Sequence, residues 1–403
     1  MASGGLIGDT TSAAATTGGE AAGGREPLRY GPFDAGLWRP VTIFVAFRLL
    51  VVATIALADL LEPDGPGGAA AGLGAKLRFW DGDFYLDVAR AGYPAFVPQD
   101  QNGLATQSSL AFFPLYPALI RLFDTVLPGG ELAAAMVVSF LFGTAATVLL
   151  WLLVRALSGH TAADRATVFF CAFPGAFVWS MVYAEPVMVA FAIACCMALL
   201  ARYWLLAGAL AAIGTATRPN AVVLVACCAW AAGLAIQQRR EWRALVAPVL
   251  APIGWLATLA YLARHTGETG AWFRVEREGW GESVDLGRRT LSRIQTLWQD
   301  FPADDLDRLL PTLGLVLVAL MAWCLWRWRP PSVLWVWAAG IIALAVTSRG
   351  LGLRPRFVHA AFPLLAATGW WLRGRWFAVV VSLAAAAQVG LAYLSVTSTR
   401  AIP

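Results

Sequence analysis

The amino-acid sequence predicts an all-α polytopic membrane protein, for three reasons. Of its 403 residues, 59% are hydrophobic and 14% are charged, against about 45–50% and about 25% in ordinary soluble domains. The mean hydropathy is +0.64. The apolar stretches are continuous rather than alternating, which favours membrane-spanning helices over an outer-membrane barrel. This composition excludes a disordered protein, a disulfide scaffold and a typical cytosolic enzyme.

The apolar runs predict about eleven transmembrane helices, at roughly 20 residues for each span. They lie near residues 41–60, 131–154, 166–182, 186–203, 204–217, 220–236, 244–263, 309–326, 332–347, 357–371 and 376–396. The run 204–217 is short for a span. The run 110–123 is too short to cross and contains Pro114 and Pro117, so we expect a half-embedded or juxtamembrane helix there.

A single transmembrane domain is predicted over residues 38–403, after a disordered cytoplasmic tail over residues 1–37. The tail is rich in Gly, Ala and Thr, and it lacks the basic start and apolar core of a signal peptide. Two long loops, 61–130 and 264–306, are expected outside the cytoplasm, and the first is expected to carry short juxtamembrane helices.

The arginines predict the orientation of the chain. With a cytoplasmic N-terminus, and with 110–123 not crossing, every inner connection is basic, as the positive-inside rule requires. These arginines are Arg25, Arg29, Arg39, Arg155, Arg165, Arg202, Arg239, Arg240, Arg243, Arg327, Arg329, Arg373 and Arg375. The C-terminus then lies outside, and a multi-pass protein of the plasma membrane is expected. The net charge of +5 therefore reflects topology and does not indicate nucleic-acid binding.

The six cysteines all lie in apolar runs, without C-x-x-C spacing or a paired histidine. This pattern indicates small buried residues rather than a redox or metal site. They are Cys171, Cys195, Cys196, Cys227, Cys228 and Cys324.

The first polar cluster follows the first predicted span and combines acids with aromatic residues. Trp80, Tyr85 and Tyr93 accompany Asp81 and Asp83. Rings of this kind pack on a sugar, and a carboxylate that they partly desolvate has the raised proton affinity of a general base. The two acids also form a D-x-D pair, but no further ligand cluster accompanies it and no metal is predicted. The alternative is an interfacial aromatic belt with solvated acids.

Two further clusters are predicted on the same face. Phe113 and Tyr116 belong to an aromatic segment that either lines a groove for an isoprenoid chain or forms an interfacial helix. Tyr183 and Glu185 stand at the outer mouth of two predicted helices. There the acid binds an arginine or a substrate hydroxyl, or it simply begins a helix.

Several arginines lie on the predicted outer face, where the positive-inside rule disfavours basic residues. Their position therefore requires an explanation. Arg218 is followed by Asn220, and Arg354 and Arg356 precede His359. Guanidinium groups chelate phosphate oxygens well. The alternative is snorkelling or contact with lipid headgroups.

The loop 271–281 is amphipathic and aromatic, so it either covers a site or lies as a plain interfacial helix. Together, these clusters place a carboxylate, aromatic platforms and arginines at one membrane face. A transferase that uses a lipid-phosphate sugar needs that combination.

These motifs resemble the PIG-V family of mannosyltransferases, in the same order and from about residue 40 to 370. They are Arg78…Trp80-Asp81-Gly82…Tyr85…Gly92-Tyr93, Phe112-Phe113-Pro114-Leu115-Tyr116-Pro117, Tyr183-Ala184-Glu185-Pro186, Thr217-Arg218-Pro219-Asn220 and Arg356-Phe357. The Trp-Asp-Gly and Phe-Phe-Pro-Leu-Tyr-Pro segments are the most specific. The sequence departs from the family pattern by one residue inserted between Arg78 and Trp80, and by Ala221 after Asn220.

The resemblance implies a GT-C fold and an inverting transfer of mannose from polyprenyl-phosphate mannose to an extracytoplasmic glycan or glycolipid. Asp81 matches the family's catalytic acidic residue, and Asp83 is the second choice. We expect Arg218 and Arg356 to hold the donor phosphate, so that no cofactor or metal is required. The alternative function is a transporter or flippase of a lipid-linked or amphipathic solute. Such proteins carry charges at midplane depth, and here only Arg48 lies well inside a predicted span.

Overall fold

The computed structural model describes residues 36–63, 72–288, 290–292, 295, 306–349 and 352–398. Within these residues the chain is mainly helical, and its only β pairing is two isolated bridges. The predicted all-α class is therefore confirmed. The predicted tail, 1–37, lies outside the described residues except for its last two.

The helices are numbered here in chain order. The first twelve are α1 Trp38–Leu61, α2 Leu73–Arg78, α3 Asp81–Ala91, α4 Leu115–Asp124, α5 Gly130–Ser158, α6 His160–Ala172, α7 Glu185–Leu200, α8 Trp204–Thr215, α9 Val223–Arg239, α10 Val246–Leu250, α11 Ile253–Thr266 and α12 Ala271–Arg274. The remaining helices are α13 Leu306–Trp328, α14 Ser332–Thr347, α15 Pro355–Ala360, α16 Phe362–Trp371 and α17 Gly374–Thr397.

Five helical segments of the described chain are long and apolar enough to cross a membrane. They are Trp38–Leu61, Gly130–Ser158, Pro219–Arg239, Trp242–Thr266 and Gly374–Thr397. A sixth candidate is the pair Pro174–Ser180 and Glu185–Leu200, which is bent by 111°. Shorter apolar helices lie at Trp204–Thr215, Leu313–Trp328 and Ser332–Thr347. The protein is thus a multi-pass membrane protein, but the count of eleven spans is not confirmed.

Two predicted spans are broken helices. The predicted span 166–182 ends as an α-helix at Ala172 and continues as a 3₁₀ turn over Pro174–Ser180. The predicted span 357–371 divides into α15 and α16 at Ala361, one residue before the first turn of α16 that contains Pro363. In both places a proline lacks the backbone N–H that a continuous helix needs.

The segment 110–123 does not form a long apolar helix, in agreement with its prediction as a juxtamembrane segment. It consists of a 3₁₀ turn, Ser109–Ala111, and the ten-residue helix α4, which begins after Pro114. Tyr116, Pro117 and Ile120 bury one face of α4, which packs mainly on α3 and α5.

A buried arginine supplies hydrogen bonds to backbone carbonyls at the first helix break. Arg48 of α1 donates hydrogen bonds to the carbonyl oxygens of Ala176 and, at 3.3 Å, Cys171. Gln388 of α17 donates to the carbonyls of Cys171 and Phe173 at 3.0 and 3.1 Å. Carbonyls left unpaired in an apolar core are costly. The one charge that lies deep in a predicted span thus satisfies the carbonyls that the proline break leaves open.

Small residues allow the helices to approach closely. Gly369 of α16 lies so near α6 that a Cβ atom built on it would sit 2.5 Å from the Cα of Ala166. All six cysteines are buried, as predicted, and the sulfurs of Cys195 and Cys228 lie 3.9 Å apart between α7 and α9. Such close approach is a common basis of helix association in membranes.

Gly175 approaches the backbone of Pro355 and Arg356 closely, and this contact supports a prediction. A Cβ on Gly175 would lie 2.0 Å from the carbonyl oxygen of Pro355 and 2.7 Å from the amide nitrogen of Arg356. We expect Gly175→Ala to lower the free energy of unfolding by about 1–3 kcal/mol, because backbone must move to make room. Thermal unfolding of the full chain in detergent measures the effect.

Gly233→Ala is the matched control, because a Cβ on Gly233 of α9 meets no atom within 4 Å. That variant is expected to unfold at the same temperature as the parent or slightly higher. Equal unfolding temperatures for Gly175→Ala and the parent would contradict the prediction.

Candidate active site

A cavity of about 830 Å³ opens at one end of the bundle. Its walls come from the ends of helices and from both long loops, over the segments 80–85, 107–113, 218–222, 255, 272–284, 344–348 and 354–357. Distant parts of the chain therefore converge on one chamber, which is large enough for a sugar phosphate.

Asp81 and Arg356 form an ion pair on the wall of this cavity. Asp81 is the first residue of α3, and Trp80 before it has φ of 69°, a conformation that breaks the chain direction between α2 and α3. The indole nitrogen of Trp80 donates to the carbonyl of Ser395 at 2.9 Å, which holds this turn against α17. The Nη1 atom of Arg356 lies 2.7 Å from Oδ2 of Asp81, and the two side chains are only 8% and 16% exposed.

Glu185 and Arg218 extend this pair into a cluster of four alternating charges. Oε2 of Glu185 lies 2.8 Å from Nη1 of Arg218, and its Oε1 lies 3.9 Å from Nη1 of Arg356. Arg218 also donates to the hydroxyl of Tyr85 at 3.3 Å. Asp81, Arg356, Glu185 and Arg218 are called the four-charge cluster below. The formal charges sum to zero, and removal of one partner from such a buried set typically costs about 3–5 kcal/mol.

The local sequence explains where Glu185 and Arg218 stand. Glu185 begins α7 and is followed by Pro186, so it meets both of its predicted roles, the helix-start acid and the arginine partner. Arg218 is extended and precedes the 3₁₀ turn Pro219–Val222. Each of these two charges stands at the end of a helix; Arg218 lines the cavity, whereas Glu185 is not a lining residue and contacts the cavity's arginines instead.

Arg354 and Asn220 also line the cavity. Burial, followed by the neighbouring positive charge of Arg356, lowers the pKa of Arg354. The side-chain oxygen of Asn220 is buried and accepts no hydrogen bond from the described residues. An acceptor without a partner beside three guanidinium groups is suited to a polar ligand.

Aromatic rings form the wall on the other side of Asp81. Phe84 stacks on Phe112 with ring centroids 5.1 Å apart, and Trp280 meets both rings edge-on at 5.2 and 5.6 Å. Phe113 lies against Trp272 at 5.9 Å. The loop 271–281 thus covers the site, one of its two predicted roles.

Hydrogen bonds attach this loop to the first one. Arg274 binds Glu278 at 3.0 Å and the carbonyl of Gly103 at 2.7 Å, and Glu278 accepts the amide of Ala105 at 2.9 Å. Hydrogen bonds from Ala105 and Arg274 lower the pKa of the Glu278 carboxyl to about 2, so it stays charged over the physiological range.

Two acids of the second loop, Glu276 and Glu282, line the cavity and were not predicted from the sequence. For Glu276, the sequence does contain a signal that could have identified it. Trp272, Glu276 and Trp280 stand four residues apart, which is the spacing of one helical face, so a carboxyl group between two indoles was readable in the sequence.

The structure does not bring Asp83 to the cavity. Its side chain is 56% exposed and lies 3.3 Å from the Nε atom of Arg78. Asp81 and Asp83 are two residues apart on α3, and only Asp81 lines the chamber. Within the described residues, no group of three or more His, Cys, Asp or Glu side chains is arranged to hold a metal ion.

His359 lies away from the cavity, contrary to its predicted role in binding substrate. It is buried on α15, stacks on Phe170 at 4.4 Å, and its Nε2 atom lies 3.1 Å from the carbonyl oxygen of Phe170. Its contacts are those of a core residue that ties α15 to α6.

Three predicted tyrosines support the site from behind instead of lining it. Tyr93 donates to the carbonyl of Phe112 at 2.6 Å, and the hydroxyl of Tyr116 lies 2.8 Å from that of Ser139. The ring of Tyr183 lies under the guanidinium group of Arg356 at 5.5 Å. Tyr85, in contrast, lines the cavity and touches Arg218. The predicted residues that line the chamber are Trp80, Asp81, Tyr85, Phe113, Arg218, Asn220, Arg354 and Arg356.

Comparison with known proteins agrees with this geometry. Residues 69–250 match the family model described as mannosyltransferase (PIG-V). No curated protein matches the sequence. The matched residues include most of the first long loop and three of the four charges, Asp81, Glu185 and Arg218.

Solved structures with the same fold are those of ArnT from Cupriavidus metallidurans. The structure bound to undecaprenyl phosphate has a TM-score of 0.53 and 16% identity, over 90% of this chain and 65% of that one. The apo structure has a TM-score of 0.51 and 17% identity, over 88% and 64%. The archaeal oligosaccharyltransferase AglB from Archaeoglobus fulgidus, in complex with an inhibitory peptide and a dolichol-phosphate, has a TM-score of 0.46 and 13% identity, over 88% and 55%.

The present chain therefore spans about two thirds of the length of ArnT, and the likeness concerns the fold. The fold, the family match and the charged cavity all agree with the resemblance predicted from the sequence. We conclude that the chain is a multi-pass membrane protein with the GT-C fold of ArnT, and that its residues 69–250 match the family model described as mannosyltransferase (PIG-V).

Proposed function

We propose that the protein transfers mannose from polyprenyl-phosphate mannose to a hydroxyl group of an extracytoplasmic glycan or glycolipid, with inversion and with Asp81 as general base. The observation that carries this proposal is the four-charge cluster, of which Asp81, Arg218 and Arg356 line the cavity. The family match supports mannose as the sugar. The undecaprenyl phosphate bound to ArnT supports a lipid-phosphate carrier.

Arg356, Arg218 and Arg354 bind the donor phosphate in this proposal. Planar guanidinium groups bind phosphate oxygens through paired hydrogen bonds. Glu185 lies between two of these arginines, at 2.8 and 3.9 Å, and holds them side by side. Apolar residues of the same cavity, among them Val222, Trp255 and Leu344, receive the start of the polyprenyl chain, which continues between the helices.

Nη1 of Arg356 donates a hydrogen bond to Oδ2 of Asp81 at 2.7 Å. A donor phosphate competes for that guanidinium group, so binding of the donor frees the carboxylate. Asp81 then accepts the proton of the acceptor hydroxyl, and the hydroxyl oxygen attacks the anomeric carbon opposite the phosphate. The bond between that carbon and the phosphate oxygen breaks, and polyprenyl phosphate leaves with the electron pair.

The leaving phosphate gains one negative charge as that bond breaks. Arg218 and Arg356 already stand where this charge develops, and preorganised positive groups stabilise such a transition state. We therefore propose a reaction that needs neither a cofactor nor a divalent metal.

The cavity faces the outside of the cytoplasmic membrane in this proposal. Arg39 pairs with Asp164 at 2.7 Å, Arg165 donates to the carbonyl of Trp370 at 3.2 Å, and Trp328 donates to Ser158 at 2.8 Å. These contacts gather several basic connections at one end of the bundle, and none of the residues named lines the cavity. The positive-inside rule supports a cytoplasmic position for that end.

Reporter fusions test the orientation. An alkaline phosphatase fused after residue 100 is expected to be active, because the first long loop is external, and one fused after residue 240 is expected to be silent. A silent reporter at 100 together with an active one at 240 would reverse the proposed membrane face.

Substitution of the proposed base tests the chemistry. Asp81→Asn keeps the size of the side chain but removes the proton acceptor, so we expect turnover to fall about 10²–10⁴-fold. The measurement is release of undecaprenyl phosphate from undecaprenyl-phosphate mannose by the purified full chain in nanodiscs, with cell-envelope glycolipid as the acceptor. No ion gradient is required, which separates a transferase from a transporter.

Asp83→Asn is the matched control, two residues away and outside the cavity, and it is expected to keep near-normal turnover. Normal turnover by Asp81→Asn would remove Asp81 from its role. A large loss from Asp83→Asn alone would move the base to that residue.

Binding of the product lipid tests the phosphate site independently of turnover. Arg356→Gln is expected to weaken the binding of undecaprenyl phosphate about 10–100-fold, because hydrogen bonds to a charged group contribute about 1.5–3 kcal/mol. Arg78→Gln, an exposed arginine outside the cavity, is expected to bind as the parent does. Equal affinities for the parent and Arg356→Gln would refute the assignment of the phosphate site.

A further inference from the structure

Glu276 is a carboxyl group of the cavity that the proposed transfer does not use. It lies in the single turn of π-helix, Val275–Gly279, in the loop that covers the site. Such turns occur often at functional sites. The turn packs closely on the first long loop. Gly279 lies so near this loop that a Cβ built on it would be 2.6 Å from the carbonyl oxygen of Thr106. The ion pairs of Arg274 and Glu278 fix the same segment.

The side chain of Glu276 makes no hydrogen bond to any side chain or amide of the described residues. The charged groups that act on it are Glu282 of the same loop, Arg218, and Asp81 of α3. Burial, and next the charge of Glu282, raise the pKa of Glu276 to about 8. Near pH 7 its carboxyl is therefore mostly protonated, and it offers both a hydrogen-bond donor and an acceptor to whatever enters the cavity.

Trp280 lies one helical turn beyond Glu276 and presents its ring to the same space. It packs edge-on against Phe84 and Phe112, and its buried indole nitrogen has no hydrogen-bond partner among the described residues. An aromatic platform beside an unpartnered carboxyl group and an unpartnered N–H is the combination that suits a sugar ring, which offers an apolar C–H face and several hydroxyl groups.

We propose that Glu276 and Trp280 form a sugar-binding subsite, which holds the hydroxyl groups of a hexose opposite the four-charge cluster. The inference rests on the proposed function, because it assumes that sugars enter this cavity. The hexose is either the donor's own sugar or the sugar at the end of the acceptor. Both carry the same chemistry, and the experiment distinguishes them.

The test is equilibrium binding to the full chain in nanodiscs, with three labelled probes: undecaprenyl phosphate, undecaprenyl-phosphate mannose, and octyl α-mannoside added to protein already loaded with undecaprenyl phosphate. Glu276→Ala is expected to bind undecaprenyl phosphate as the parent does. It is expected to lose about 10-fold in affinity for one of the two sugar probes, which is the loss expected for one buried hydrogen-bonding group.

A loss confined to undecaprenyl-phosphate mannose assigns the subsite to the donor sugar, and a loss confined to octyl α-mannoside assigns it to the acceptor. Unchanged affinity for both sugar probes overturns the inference. Failure of the parent itself to bind undecaprenyl phosphate would instead count against the proposed function. Asp87→Asn, at an exposed acid of α3 outside the cavity, is the matched control and is expected to bind all three probes normally.

The pH dependence separates a direct contact from a structural one. As the pH rises through about 8, Glu276 ionises, loses its donor hydrogen and is repelled by Glu282, so the parent is expected to bind the sugar probe several-fold more weakly at pH 9 than at pH 7. Glu276→Gln keeps a neutral group with a donor and an acceptor. It is expected to bind within about threefold of the parent at pH 7 and to lose this pH dependence. An identical pH profile for the two proteins would overturn the contact.

Discussion

The site depends on the alternation of charge in the four-charge cluster. Asp81, Arg356, Glu185 and Arg218 come from four separate segments, and each charge is buried beside one of opposite sign. A single charge at this depth would be strongly unfavourable, and the neutral set is tolerated because its members compensate one another. The cluster therefore fixes the positions of two arginines and one carboxylate before any substrate arrives.

The helix breaks below the cavity serve this cluster. The break after Ala172 redirects the chain, so that Glu185 begins α7 beside Arg218 and Arg356. Arg48 and Gln388 satisfy the carbonyls that the break exposes. Gly175, with no side chain, allows the broken segment to touch the backbone that carries Arg356. The irregular backbone is thus tolerated inside the bundle because protein groups replace the missing hydrogen bonds.

Arg218, Arg354 and Arg356 line the cavity on the side next to Asp81, and Glu276, Arg277 and Glu282 line it on the side formed by the covering loop. The covering loop is tied to the first loop by Arg274 and Glu278, so both sides of the chamber are held in one unit.

The sequence by itself determined the membrane class, the polar face and most of the charged residues of the cavity, because these follow from hydropathy and from short motifs such as Trp80-Asp81-Gly82. It also singled out both Asp81 and Asp83, and only the tertiary structure chose between them, since neighbouring positions on a helix point in different directions. The sequence analysis placed His359 among the candidate substrate-binding residues. Its burial against Phe170 could not be predicted, because it results from packing between helices that are distant in the sequence. The eleven spans assumed straight helices, and the sequence did not show that Glu276 lies near Arg218 and Asp81, because both features depend on contacts between segments far apart in the chain.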